Sequence, residues 1–280
     1  MEFVTLHNGI KMPKVGYGVF QVGQNECEQC VLDALSVGYR SLDTAQAYGN
    51  EDAVGTAIAQ SGVARSEIFL TTKIWIANGG YEKAKDSIHD SLRKLKTDYV
   101  DLMLIHQPFN DYYGSWRAME EAYKEGKIRA IGVANFYPDR LIDLCYNVEI
   151  KPMINQVETH VFQQQKIAHE IMKKYAIVHE SWGPFAEGRN DFFTNIVLNE
   201  IGAKYHKSAA QVALRFLLQN DVVIIPKSTH KERMIQNIEI FDFELGTDDL
   251  KKIEELDTGK SLFFSHYDPS TVEMLLDMSK

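Results

Sequence analysis

IFLTTKIWIANGGYEKAKDSIHDSLRKLKTDYVDLMLIH, residues 68–106, contains one full cycle of the pattern that organises the chain. Its first six and last eight residues are mostly apolar runs of strand length, closing on the polar side chains Lys73 and His106. Between them, YEKAKDSIHDSLRKLK sets Ala84, Ile88, Leu92 and Leu95 on one helix face and charge on the others. Strand, helix and strand in this order predict two parallel strands with a helical crossover.

The same alternation runs outward in both directions. Further strands are expected near VGYGVF (15–20), YRSLD (39–43), IRAIGVAN (128–135), PMINQV (152–157), IVHESW (177–182) and VVIIPK (222–227). QQQKIAHEIMKKY and SAAQVALRFLLQN carry helical spacing between them. The strand runs are apolar rather than alternating, as when both faces of a parallel sheet are covered. Eight such units suit an α/β fold closed as a (β/α)8 TIM barrel, which typically takes about 250 residues. An open doubly wound sheet is the rival, and it favours a G-x-G-x-x-G turn after its first strand. GYGVFQ (16–21) begins that way and lacks the third glycine. Asn8-Gly9 in TLHNGIKMP predicts an N-terminal β-hairpin ahead of the barrel. Residues from Thr258 onward form a short C-terminal tail. With no linker or repeat, residues 1–280 are expected to form a single barrel domain.

Composition narrows the classes of partner. The chain of 280 residues is 45% hydrophobic, enough for a large core, and 30 Lys+Arg against 39 Asp+Glu leave a net charge of −9. An acidic balance argues against nucleic acid or an anionic membrane as the main partner. MEFVTLHNGIKMPK lacks a signal-peptide pattern, and no apolar run approaches the roughly 18 residues of a spanning helix. A cytoplasmic protein, monomeric or weakly homo-oligomeric, is expected. Cys27 and Cys30 form a C-x-x-C. With Val31, Ala34 and Leu35 they follow the spacing of a helix core face, so burial is favoured over a redox or metal role. No second pair completes a zinc site, and no metal is expected.

The strand ends carry the chemistry. In a parallel barrel all C-terminal strand ends share one face, where Asp43, Lys73 and His106 would meet, with Tyr48 five residues beyond Asp43. A phenol with an ordinary pKa of ~10 is a poor acid at neutral pH, and an adjacent ammonium would lower it. Lys73 held by Asp43 could play that part, with Tyr48 giving a proton to a carbonyl oxygen and His106 orienting it.

The wording around these residues is specific. LDTAQAYGNE, TKIW, LMLIHQP, GKIRAIGVANF, INQVE and IPKSTHKERMIQN resemble the motifs of the aldo-keto reductase superfamily, in order. The match extends over essentially the whole chain, nearest to small bacterial-type reductases of the 2,5-diketogluconate or methylglyoxal kind. That resemblance implies a barrel, NADPH as hydride donor, and catalytic roles for Asp43, Tyr48, Lys73 and His106. It also implies that Asn135 and Gln156 bind the nicotinamide carboxamide and that Trp182 stacks on the ring. Lys227, Ser228, Arg233, Gln236 and Asn237 would hold the adenosine 2′-phosphate end. A Thr229–Glu232 capping box would start a helix there, and helix N-termini favour anions. Gly183 stands where many relatives have serine, Gln236 where many have glutamate, and Tyr267 where an arginine is usual.

Phe20, Trp75, His106 and Phe109 follow strand ends and are expected to line the substrate mouth. A brief fourth loop and a short tail suit small or polar carbonyl compounds. Two rivals remain. A cofactor-binding regulatory or scaffold protein would keep the fold and turn over slowly. A glycoside hydrolase would use Glu158 and Glu180 as paired carboxylates, and would leave Tyr48, Lys73 and the IPKS segment unexplained.

Overall fold

The computed structural model describes residues 1–279. Two short antiparallel strands, β1 (Phe3–Thr5) and β2 (Lys11–Pro13), form the hairpin anticipated at Asn8-Gly9, with Phe3 opposite Pro13 and Thr5 opposite Lys11. Gly9 takes φ +88° at the turn, a conformation open to glycine without steric cost. Leu6 and Met12 are fully buried, and Asn8 Nδ2 donates to the Arg129 carbonyl at 3.0 Å, which seats the hairpin at the N-terminal ends of the strands that follow.

Those strands are β3 (Tyr17–Gly18), β4 (Ser41–Asp43), β5 (Phe69–Ile74), β6 (Leu102–Ile105), β7 (Ile131–Ala134), β8 (Ile154–Glu158), β9 (Val178–Trp182) and β10 (Val223–Ile224). They form one parallel sheet in sequence order. Val15 bridges Ile224 in parallel, the Gly16 amide donates to the Ile224 carbonyl at 2.8 Å, and the Ile224 amide donates to the Lys14 carbonyl at 3.0 Å. Those bonds join the first strand to the last and close the barrel.

Helices cover the sheet: α1 (Gln24–Ser36), α2 (Glu51–Gln60), α3 (Tyr81–Lys94), α4 (Tyr112–Lys124), α5 (Pro138–Asn147) and α6 (Lys166–Lys174). They continue with α7 (Ile196–Tyr205), α8 (Ala209–Gln219), α9 (Lys231–Ile238), α10 (Thr247–Glu254) and α11 (Pro269–Asp277). Ala84, Ile88 and Leu92 of α3, and Leu95 just after it, are buried, as the spacing predicts. The α8 start is a true capping box, Ser208 Oγ accepting from the Gln211 amide and Gln211 Oε1 from the Ser208 amide. Cys27 and Cys30 face inward from α1, and burial pushes both thiols up, Cys27 to about 12, which keeps them protonated and inert. No helix among the described residues is long and apolar enough to cross a membrane.

The tail is short but not loose. Ile76 and Phe109 at the barrel rim pack against Leu275 of α11, forming a small apolar cluster apart from the main core. The C-terminal helix thus sits on the rim of the face where the strand ends open.

Candidate active site

Asp43 ends β4, Lys73 lies one residue short of the end of β5, and His106 immediately follows β6. Tyr48 sits in a single 3-10 turn, Gln46–Tyr48, placed by its own first residue. Gln46 Oε1 accepts from the Trp75 amide and from Asn78 Nδ2, both at 2.9 Å, and its Nε2 donates to Ser91 Oγ at 3.1 Å. That turn is therefore tied to the end of β5 and to α3, and Tyr48 is held over the neighbouring strand.

The fold brings the four residues together. Lys73 Nζ donates to Asp43 Oδ1 at 2.6 Å, to the Thr44 carbonyl at 3.0 Å and to the Tyr48 hydroxyl at 3.2 Å. Its ammonium has spent all three hydrogens and is fully buried. Burial pulls Lys73 toward deprotonation, but the Asp43 carboxylate and the Tyr48 phenol outweigh it and the net shift is upward. The Tyr48 and His106 rings lie edge to face, centroids 5.6 Å apart. Burial, followed by the Lys73 charge, holds His106 well below the usual imidazole range, so it is neutral at pH 7. Its Nδ1 is buried without a hydrogen-bond partner.

Tyr48 departs from the simplest sequence expectation. Lys73 does lower its pKa, but desolvation is the larger effect and, with Asp43, leaves the phenol above its ordinary value. The resting phenol therefore stays protonated at neutral pH, with the Lys73 ammonium 3.2 Å from its hydroxyl.

The other expected residues divide into groups. Phe20 and Trp75 flank the pair, 5.0 Å from the Tyr48 ring and 5.2 Å from the His106 ring, respectively. Phe109 does not face the opening freely; it is 7% exposed and stacks on His266 of the tail at 5.7 Å. Asn135 adopts φ +63°, which turns its amide so that Nδ2 donates to the His106 carbonyl at 3.0 Å and Oδ1 accepts from Trp182 Nε1 at 2.8 Å. Gln156 points to the floor, where Nε2 donates to Asp43 Oδ2 and Glu180 Oε2, each at 2.9 Å. Gly183, at φ +63°, turns the chain away after Trp182 close to the Phe263 ring.

The segment after β10 carries exposed cations at a helix start. The α9 N-cap is His230, and no side chain caps it. The Thr229–Glu232 capping box therefore does not form. Ser228 turns the chain first, its Oγ accepting from the His230 amide at 3.1 Å, which shifts the helix start one residue beyond Thr229. Lys227 and Arg233 are exposed and form no ion pair among the described residues, whereas Lys231 reaches Asp33 at 3.3 Å. Cations at a helix N-terminus oppose the macrodipole unless an anion joins them. Asn237 is buried on the inner side of α9, and Gln236 is exposed.

Several site residues escaped the sequence reading. Tyr17 and Tyr39, both fully buried, brace the cationic segment, Tyr17 donating to the Ser228 carbonyl at 2.7 Å and Tyr39 to the Met234 carbonyl at 3.1 Å. A buried tyrosine needs an acceptor, so residue type alone hinted at this, but not at which carbonyl. The tail delivers Phe263 and Phe264 against Trp182, with centroids at 5.2 and 6.2 Å. Glu158 anchors that turn, accepting from the Leu262 amide at 2.9 Å, from Ser261 Oγ and from His160 Nε2 at 3.0 Å. Its carboxylate is thus spent on the tail and unavailable to pair with Glu180, as a glycosidase would require. Burial, then the Asp43 charge, pushes Glu180 up to about 8.

The model of the Aldo/keto reductase family matches residues 14–258. A glyoxal reductase of Bacillus subtilis (strain 168) is 48% identical over 257 residues, covering 91% of this chain and 92% of that protein. A methylglyoxal reductase DkgA of Escherichia coli (strain K12) is 40% identical over 262 residues, covering 92% and 94% respectively. Among solved structures, a Bombyx mori aldo-keto reductase in complex with NADP superposes with a TM-score of 0.90 at 31% identity, covering 97% of this chain and 96% of that one.

Proposed function

Since the chain belongs to the aldo/keto reductase family, we propose that it reduces small aldehydes and vicinal dicarbonyls of the glyoxal and methylglyoxal class to alcohols with NADPH. The observation that carries this reading is the buried Lys73 ammonium, hydrogen-bonded at once to the Asp43 carboxylate and the Tyr48 phenol.

The side chains present fit the cofactor. Lys227 and Arg233, unpaired beside the α9 N-terminus, suit its 2′-phosphate, with Ser228, Gln236 and Asn237 around the adenosine. Trp182 offers a planar face for the nicotinamide, Asn135 lies beside it with an amide for the carboxamide, and Gln156, its Nε2 hydrogens spent on Asp43 and Glu180, has its Oε1 left to accept from the carboxamide. Gly183 would allow close backbone approach to the pyrophosphate. When bound, NADPH supplies the hydride. Neutral His106 hydrogen-bonds the substrate carbonyl oxygen and fixes its direction. Tyr48 transfers its hydroxyl proton to that oxygen, and Lys73 stabilises the phenolate left behind. Asp43 keeps Lys73 charged and in place.

Phe20 and Trp75 form an aromatic rim to the site and are assigned to substrate. Phe109 acts through the tail it holds rather than by direct contact. Residues 1–280 act as one domain, as a monomer or weak homo-oligomer, and the buried free thiols suit a reducing cytoplasm.

Substituting Tyr48→Phe is the test. Reduction of methylglyoxal should fall on the order of 10³-fold while NADPH affinity stays nearly unchanged. Retained reduction would remove Tyr48 as the acid. In wild type, tight NADPH binding with no turnover of any small carbonyl would favour a regulatory protein.

A further inference from the structure

Glu180 lies in β9 beneath the reacting residues, fully buried, and takes no part in the mechanism above. The titratable groups facing it are Asp43 from β4, Lys73 from β5 and Tyr48 from the turn after β4. From β8 comes the neutral Gln156 amide, and β10 sets Val223 opposite Glu180 in register.

The donors around it are all accounted for. Lys73 spends its three hydrogens on Asp43, Thr44 and Tyr48. Gln156 divides its two between Asp43 Oδ2 and Glu180 Oε2. Glu180 Oε1 is left buried without a partner. A carboxylate with one neutral donor for two oxygens, and no cation in contact, is poorly stabilised in a dry interior. The carboxylic acid form needs no counter-charge there.

We propose that Glu180 is a positioning residue for proton transfer: a neutral carboxylic acid that, through the shared Gln156 amide, holds Asp43 in place and keeps a second negative charge out of the barrel floor. This rests on the assignment of Tyr48 as proton donor. Before transfer, Lys73 and Asp43 balance each other; after it, the Tyr48 phenolate adds one negative charge. Loss of the Glu180 proton would place another beside it and oppose the transfer. The upward shift of Glu180 by burial and Asp43 agrees with the donor count.

The experiment compares the pH dependence of kcat for methylglyoxal reduction with NADPH in wild type and E180Q. Wild type should lose about tenfold or more in kcat between about pH 7 and about pH 9.5, with KM moving less. In E180Q, which cannot ionise, the ratio of the two rates should collapse toward one, whatever its absolute rate. An unchanged ratio would overturn the proposal, because a purely structural role lowers activity without moving the pH limb. Should E180Q fail to fold, ¹³C NMR of the glutamate carboxyls in the wild-type apoprotein decides: one must titrate on the alkaline side of neutrality. If every glutamate titrates in the acid range, the proposal fails. That titration needs no turnover, so it stands apart from the Tyr48→Phe result, on which the assignment of the acid depends.

Discussion

Each end of the barrel sets a buried carboxylate against cations, and the two differ in what they leave unspent. At the N-terminal end, Asp101 accepts from Arg65 at 2.8 Å, Arg129 at 2.6 Å and the Leu70 amide at 3.0 Å. Its arginines are 21% and 44% exposed, so water carries part of their charge. At the C-terminal end, Asp43 and Lys73 are 4% and 0% exposed, and the pair leans on a phenol and a glutamine. Nearby, His106 Nδ1 and Glu180 Oε1 are buried with no partner. A satisfied ion pair on guanidinium forks, which do not deprotonate, locks structure. A dry ammonium beside a phenol and unspent polar atoms keeps free energy available for a reaction. The lower site is built to hold the barrel, and the upper one is the site proposed to react.

Substitution can separate the two ends. Asp43→Asn should lower kcat/KM on the order of 10²-fold, about 2.7 kcal/mol, because it unseats the charge that fixes Lys73. Asp101→Ala should lower unfolding free energy by roughly 2 kcal/mol in urea, discounted for its solvated arginines, with kcat/KM nearly unchanged. If Asp101→Ala costs as much activity as Asp43→Asn, the division fails.

Acid should also act through the upper end. Burial, and then Arg140, lowers His266 to about 4, while its Nε2 meets Gln107 at 2.6 Å. The unfolded chain takes up that proton near pH 6.5 and the folded one does not. Stability is thus complete above about pH 6.5 and is lost as pH falls toward 4, roughly 2 kcal/mol by about pH 4.5 from this residue alone. Chemical denaturation at stepped pH should show a shallower loss in His266→Gln than in wild type.

The smallest expected effect concerns an exposed cation of the upper face. Arg233 has no ion partner among the described residues, unlike Arg65 and Arg129. Arg233→Ala should weaken NADPH binding about tenfold, leave NADH almost unchanged and leave stability unaltered. Equal weakening of both cofactors, measured by titration, would move the 2′-phosphate elsewhere.

What the sequence disclosed depended on range. The α3 face and all eight strand runs were legible because apolar spacing is a local signal that each segment carries alone. Asp43, Lys73 and His106 were legible because a parallel barrel collects strand ends on one face. Thr229 was misread as a cap because two adjacent hydroxyls competed for the turn, and Ser228 won through its bond to the His230 amide. Glu158 holding Ser261 and Leu262, more than 100 positions away, left no local trace. The Gln156 bridge between Asp43 and Glu180 was equally silent, since nothing in INQVE indicates which oxygens its two hydrogens reach.

The seam between β3 and β10 has a consequence for the order of synthesis. Gly16 and Ile224 are 208 positions apart, so a nascent chain holds an open sheet with two bare edges until β10 has left the ribosome. A contact of such sequence separation forms late and slowly. Truncation before β10 should therefore yield an aggregation-prone sheet rather than a smaller barrel, and a translational pause just upstream would prolong that exposure.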